Sequence, residues 1–206
     1  MNADRDVPSI WFRLPPGFHD IGPSDRPQLE GITQVLGGPE ALREVTQLMD
    51  AMDALPAHHV IHTSIGLHPD EPSGVATSLF SLTVRHSEHR NPRVAVAQTA
   101  LAIARSSLWS SSSRQVVELT SSLPCCLVAG LISPQDVEDE LFQARVVTAD
   151  PMGRHVIVLD LTSRAREHAD AYTSIVEAVA HTLSFSDPAA STPSSGGTSR
   201  ILEVLL

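Results

Sequence analysis

Hydrophobic positions along the chain change period several times, and each change marks an element. Leu29, Ile32, Val35 and Leu36 recur at helical spacing behind the capping sequence Pro23-Ser24-Asp25 and stop at Gly37-Gly38. Pro39 restarts the pattern with Leu42, Val45, Leu48, Met49 and Met52, so two short helices are expected between residues 24 and 54. The period then drops to two. Val60 to Leu67 sets Ile61, Thr63, Ile65 and Leu67 against His62, Ser64 and Gly66, and Val75 to Arg85 repeats the alternation through Phe80, Leu82 and Val84. The intervening His68-Pro69-Asp70-Glu71-Pro72-Ser73-Gly74 reads as a hairpin loop.

A helix is predicted from Pro92 to Ser107 with Val94, Ala97, Leu101 and Ala104 facing inward, ended by the serine run Ser110 to Ser113. Four strand-like runs follow, Gln115–Leu119, Cys125–Ile132, Leu141–Thr148 and His155–Leu161, with Asp150-Pro151-Met152-Gly153 as the turn between the last two. A second long helix runs from Ala165 to Leu183 and carries Tyr172, Ile175, Val176, Val179 and Leu183 on one stripe. Hairpins accompanied by helices make an α+β domain, an antiparallel sheet of about six strands with helices packed on it. The expected organisation is an extended segment over 1–22, one domain over 23–186, and a flexible Ser/Pro/Gly linker from 187 that ends in Ile201-Leu202-Glu203-Val204-Leu205-Leu206.

Composition narrows the class. Hydrophobic residues make up 42% of 206 positions, enough for one self-sufficient core without disulfides or a metal. Fourteen Arg and no Lys stand against 24 Asp plus Glu, and the net charge of −10 opposes nonspecific binding to nucleic acid or anionic membranes. The Arg-only basic set points to a bacterial, GC-rich origin. Ten His bring the net charge toward zero as pH falls toward 5, where solubility should be lowest. No basic-then-apolar leader opens the chain and no apolar run is long enough to span a membrane, so a cytoplasmic protein is expected. Cys125 and Cys126, adjacent in a strand, should point to opposite faces as buried free thiols.

The turn Leu14-Pro15-Pro16-Gly17-Phe18, followed by a hairpin, a helix, a meander of strands and a final helix, resembles the Mog1/PsbP-like fold. Its bacterial branch of LpqN-type proteins is the most similar, over roughly residues 8 to 186. The helical material at 24–54 departs from the shortest members, and the signal sequences of those lipoproteins are missing here. The resemblance implies a scaffold that binds other proteins and transfers no catalytic residue.

Candidate chemistry is sparse. His58, His62, His86 and His89 cluster around the predicted hairpin; pairing Ile65 near Phe80 sets the last two near the level of His58 and His59, where a three-His zinc site is geometrically open. His62 and His68 share parity and are expected on the solvent face. No HExxH, paired CxxC, GxSxG or phosphate-binding glycine loop occurs, so the histidines read first as a titrating polar face. Asp160 with His155, or Glu118 with His62, are the acid–base pairs the letters allow. For partner binding the candidates are Trp109, the acidic Asp136, Glu138, Asp139 and Glu140, and the apolar Ile201, Leu202, Val204, Leu205 and Leu206; Trp11 is assigned to the core.

The expected function is therefore a non-enzymatic protein-binding module, an adaptor, accessory or immunity-like protein, with no cofactor and an unidentified protein partner. A small-ligand or metal-binding domain built on the histidines is the alternative, and a homo-oligomer sealed through the apolar ILEVLL end is a minor one.

Overall fold

The structure, a computed structural model, describes residues 8–27, 58–70, 74–134 and 139–187. The two helices expected between 24 and 54, Asp136 and Glu138, and the 188–206 segment with its candidate residues lie outside these. Seven strands and two helices are described: β1 (Phe18–Asp20), β2 (Val60–Asp70), β3 (Gly74–His86), α1 (Pro92–Ala104), β4 (Trp109–Glu118), β5 (Pro124–Ile132), β6 (Leu141–Ala149), β7 (His155–Ser163) and α2 (Ala169–His181). All strands join one antiparallel sheet in the order β1-β2-β3-β7-β6-β5-β4. The architecture is α+β. The strand beyond the expected six is β1, which follows the Pro-Pro-Gly turn and pairs Phe18 with Gly66.

Strand alternation gives the sheet two apolar faces and each receives one helix. Phe80, Leu82, Phe142, Ala144, Val146, Ile157, Leu159 and Leu161 face α2, whose Tyr172, Val176, Val179 and Ala180 complete that cluster. Val128, Val147, Ala149 and Val156 face the other way and meet Ala95, Val96 and Ala100 of α1. Cys125 joins the α2 side and Cys126 the α1 side, as strand parity requires, and both thiols are free. Ile10, Phe12, Leu14 and Phe18 of the N-terminal segment pack on the α2 cluster, and Trp11 exchanges both backbone hydrogen bonds with Ser184 at 2.9 and 2.8 Å. Gly17 makes the return possible: it sits at φ 93°, and its carbonyl accepts the Leu67 amide at 2.8 Å.

Several local expectations are corrected. The serine run lies beyond the helix, which ends at Ala104, but the strand expected from Gln115 begins earlier, at Trp109, so the serines form the first half of β4, exposed on a sheet edge where small polar side chains meet water. The 68–74 loop is shorter than expected, because β2 continues to Asp70 and β3 begins at Gly74. The α1 helix begins at Pro92 as expected, with the Asn91 Oδ1 accepting from the Arg93 and Val94 amides, but its buried residues are Ala95, Val96 and Ala100; of the expected inward positions Ala104 packs half-buried on that cluster, whereas Val94 and Ala97 are exposed and Leu101 is half-buried outside it. Apolar side chains occupy the whole circumference of α1, so periodicity had no contrast with which to choose a face. The two tryptophans exchange roles: Trp109 packs half-buried in the α1 cluster with its indole nitrogen buried, whereas Trp11 lies outside the clusters and lines a shallow cavity with Arg13 and Thr182.

Candidate functional site

The histidines do not converge. Hairpin register pairs Ser64, not Ile65, with Phe80, and a bulge between Val60 and His62 resets the end of β2. His62 and His68 do share a face, but it is the α2 face, where the Pro-Pro-Gly turn brings aromatic rings over them. His62 lies 5.0 Å from Phe12 and 6.1 Å from Phe80 between ring centroids, with its Nε2 2.7 Å from the Ser64 hydroxyl and 3.4 Å from the Asp20 carboxylate. His68 sits 5.3 Å from both Phe18 and Tyr172, its Nε2 2.8 Å from the Ser78 hydroxyl. His58 is exposed at the start of β2, and His86 pairs across strands with His155 at 5.8 Å. His89 is held through its backbone by the Ser87 hydroxyl. Among the described residues no three His, Cys, Asp or Glu side chains come together to hold a metal ion.

Burial pushes the imidazoles of His62 and His68 below their ordinary value of 6.5; Asp20 partly opposes this at His62, and the neighbouring His168 adds to it at His68. The unfolded chain therefore binds protons that the folded chain refuses. The stability these neutral rings contribute is complete above about pH 6.5 and falls as pH drops through that value toward the lowered folded pKa. Urea denaturation from pH 7.5 to about 5 is expected to show this loss. A His62→Phe, His68→Phe variant should show a flatter dependence over the same range; an unchanged slope would assign the effect elsewhere.

The proposed acid–base pairs are absent for a simple topological reason. His155 faces α2 and has Asp150 as its carboxylate neighbour at 3.8 Å, while Asp160 faces the α1 side, bound to Arg145, to Gln143 Nε2 at 3.0 Å and to the Thr162 hydroxyl at 3.0 Å. Glu118 and His62 stand on β4 and β2, far apart in the strand order. Of the acidic candidates, Asp139 is exposed, but Glu140 already accepts the Ser110 hydroxyl at 2.6 Å and the Arg166 guanidinium at 3.2 Å.

What the tertiary structure does assemble is a groove of about 910 Å³ between α1 and the β4–β5 edge. Val96, Ala97, Ala100 and Leu101 form its helical wall, and Arg114, Val116, Glu118 and Cys126 its sheet wall, with Leu119, Leu123 and Pro124 at one end and Arg93 on the helix. Ala97 and Leu101, which spacing assigned to the core, thus line this groove, giving α1 a second apolar face. Val116 is 79% exposed. Arg93 and Arg114 make no ion pair among the described residues, and β4 has no strand on its outer edge among them. Burial pushes the Cys125 thiol up to about 12 and raises Cys126 as well, the latter partly offset by Arg114, so neither stands ready as a thiolate. The adjacent letters Val116-Val117 carried the missed signal: on an alternating strand one of them must face away from the α2 core.

No helix among the described residues is long and apolar enough to cross a membrane. No protein-family model matches this chain, and no curated protein sequence matches it.

Proposed function

We propose that this protein is a non-enzymatic protein-binding module of a bacterial cell, built on a Mog1/PsbP-like scaffold, and that the α1–β4 groove takes an extended apolar segment carrying an acidic residue. The observation that carries this reading is the double apolar face of α1. Apolar helix faces are normally buried, yet here Ala97 and Leu101 face a groove whose floor ends in a strand edge that is unpaired among the described residues. An extended partner satisfies both needs: its backbone adds to β4, and its alternate side chains enter the groove. Two arginines against the single Glu118 favour an acid on the incoming strand.

Selection of phage-displayed random peptides on the full chain is the test. Enriched peptides are expected to alternate apolar and acidic residues. Val116→Glu, at an exposed position that leaves the core intact, should weaken their binding about tenfold or more by adding a like charge and removing apolar contact. Absence of enrichment, or enriched peptides indifferent to Val116→Glu, would overturn the reading.

A further inference from the structure

We infer that the groove's resident ligand is the chain's own segment Ile201–Leu206, which adds to β4 as an eighth strand and occludes the site in the same molecule. This rests on the groove being a peptide site and adds its occupant. The segment ILEVLL has the chemistry the groove selects: on an extended backbone Ile201, Glu203 and Leu205 share one face, an acid flanked by two large apolar side chains. The sheet wall offers the complement, since Arg114, Val116 and Glu118 share the α1 face of β4 and Ala97 and Leu101 stand opposite. With Glu203 opposite Arg114, one of Ile201 and Leu205 stands opposite Val116 and enters the apolar part of the groove, and the other covers Ser112.

Reach supports the same occupant. The end of α2 lies at one end of the groove, because His181 Nδ1 approaches the Thr120 hydroxyl at 3.1 Å, and Thr120 belongs to the β4–β5 turn next to Leu119. The described chain continues only to Asp187, six residues further. Thirteen residues rich in Ser, Pro and Gly separate Asp187 from Ile201; a chain of that length and composition spans roughly 20 Å as a random coil and, fully extended, up to about 45 Å. That is enough to return to the groove at an effective concentration of ~1 mM. A free partner must then compete with a tethered one.

Hydrogen exchange and peptide binding on the full chain test this, with Ile201→Asp, Leu205→Asp as the opened variant. Amides of 112–118 should exchange at least tenfold faster in the variant than in the wild type. A labelled synthetic peptide of residues 199–206, SRILEVLL, should bind the variant and bind the wild type at least tenfold more weakly. Glu203→Arg should open the groove in the same way, and Arg114→Glu with Glu203→Arg should close it again. Equal exchange in both proteins, with no binding of SRILEVLL to the variant, would overturn self-occlusion. The groove reading would survive that result if display-selected peptides still bound in a Val116-dependent manner, and would fall with it if they did not. A wild-type mass that doubles in solution, with β4 protection that fades on dilution, would overturn occupancy within one molecule in favour of a second copy.

Discussion

Phe80→Ala is expected to lower the unfolding free energy by about 3–5 kcal/mol, the usual cost of emptying a fully buried aromatic position. Phe80 is fully buried near the middle of β3, and three rings from separate parts of the chain close on it: Phe12 at 5.9 Å, Phe18 at 6.3 Å and His62 at 6.1 Å. Two of these belong to the N-terminal segment, whose residues 10–14 hold to the domain through such contacts and the Trp11–Ser184 bridge, while Phe18–Asp20 are also paired with β2. Truncation therefore leaves a cavity and also loosens the strap over it. Urea denaturation should show the loss, and hydrogen exchange should show amides of residues 10–20 losing protection before those of β6 and β7. A change below about 1 kcal/mol would mean the rings repack and the strap does not depend on Phe80.

Gly130→Ala should be the more damaging change for the groove. A β-carbon at Gly130 would press into the Ser111 carbonyl oxygen and come within 2.8 Å of the Ser112 Cα, both backbone atoms of the neighbouring strand. The crowding arises from the bulge between Trp109 and Ser111, which brings β4 close to β5. Neither strand can yield by a rotamer change, so β4 must move away from β5. The expected cost is about 2–4 kcal/mol, in the range of overpacked and backbone-strained sites. Because β4 forms one wall of the groove, selected peptides should also bind at least tenfold more weakly at temperatures where the variant remains folded. Stability within about 0.5 kcal/mol of wild type with full peptide binding would show that the edge strand is not held at this point.

Much of the fold was legible in the letters. The alternations through Phe80, Leu82 and Val84 and through Ile157, Leu159 and Leu161, and the stripe Tyr172, Val176 and Val179, each carry a periodicity that one face of one element imposes, and the structure places those residues in the core. The Pro92 start of α1 and the Asp150–Gly153 turn were equally readable, since a helix start at proline and a turn depend on neighbours in sequence. The site was not legible. His62 and His68 read as solvent-facing because their partners, Phe12, Phe18 and Tyr172, arrive from 50 or more positions away, or from the far end of the chain. The inward face of α1 was largely misassigned because its Ala, Val, Leu and Ile are spread around the whole helix, while Arg93, Gln98 and Thr99 do not gather into one polar face.

By itself the sequence determined two helices and six of the seven strands among the described residues, the antiparallel α+β class, the opposed thiols of Cys125 and Cys126, and the net charge of −10. These follow from local periodicity and summed charge, which need no knowledge of distant contacts. The tertiary structure alone decided that β4 stands at the edge, that α1 turns Ala97 and Leu101 toward it, and that Arg93 and Arg114 flank the space between. A groove is a relation between surfaces that sheet order brings together, and sheet order depends on long-range pairing that no window of neighbouring residues contains.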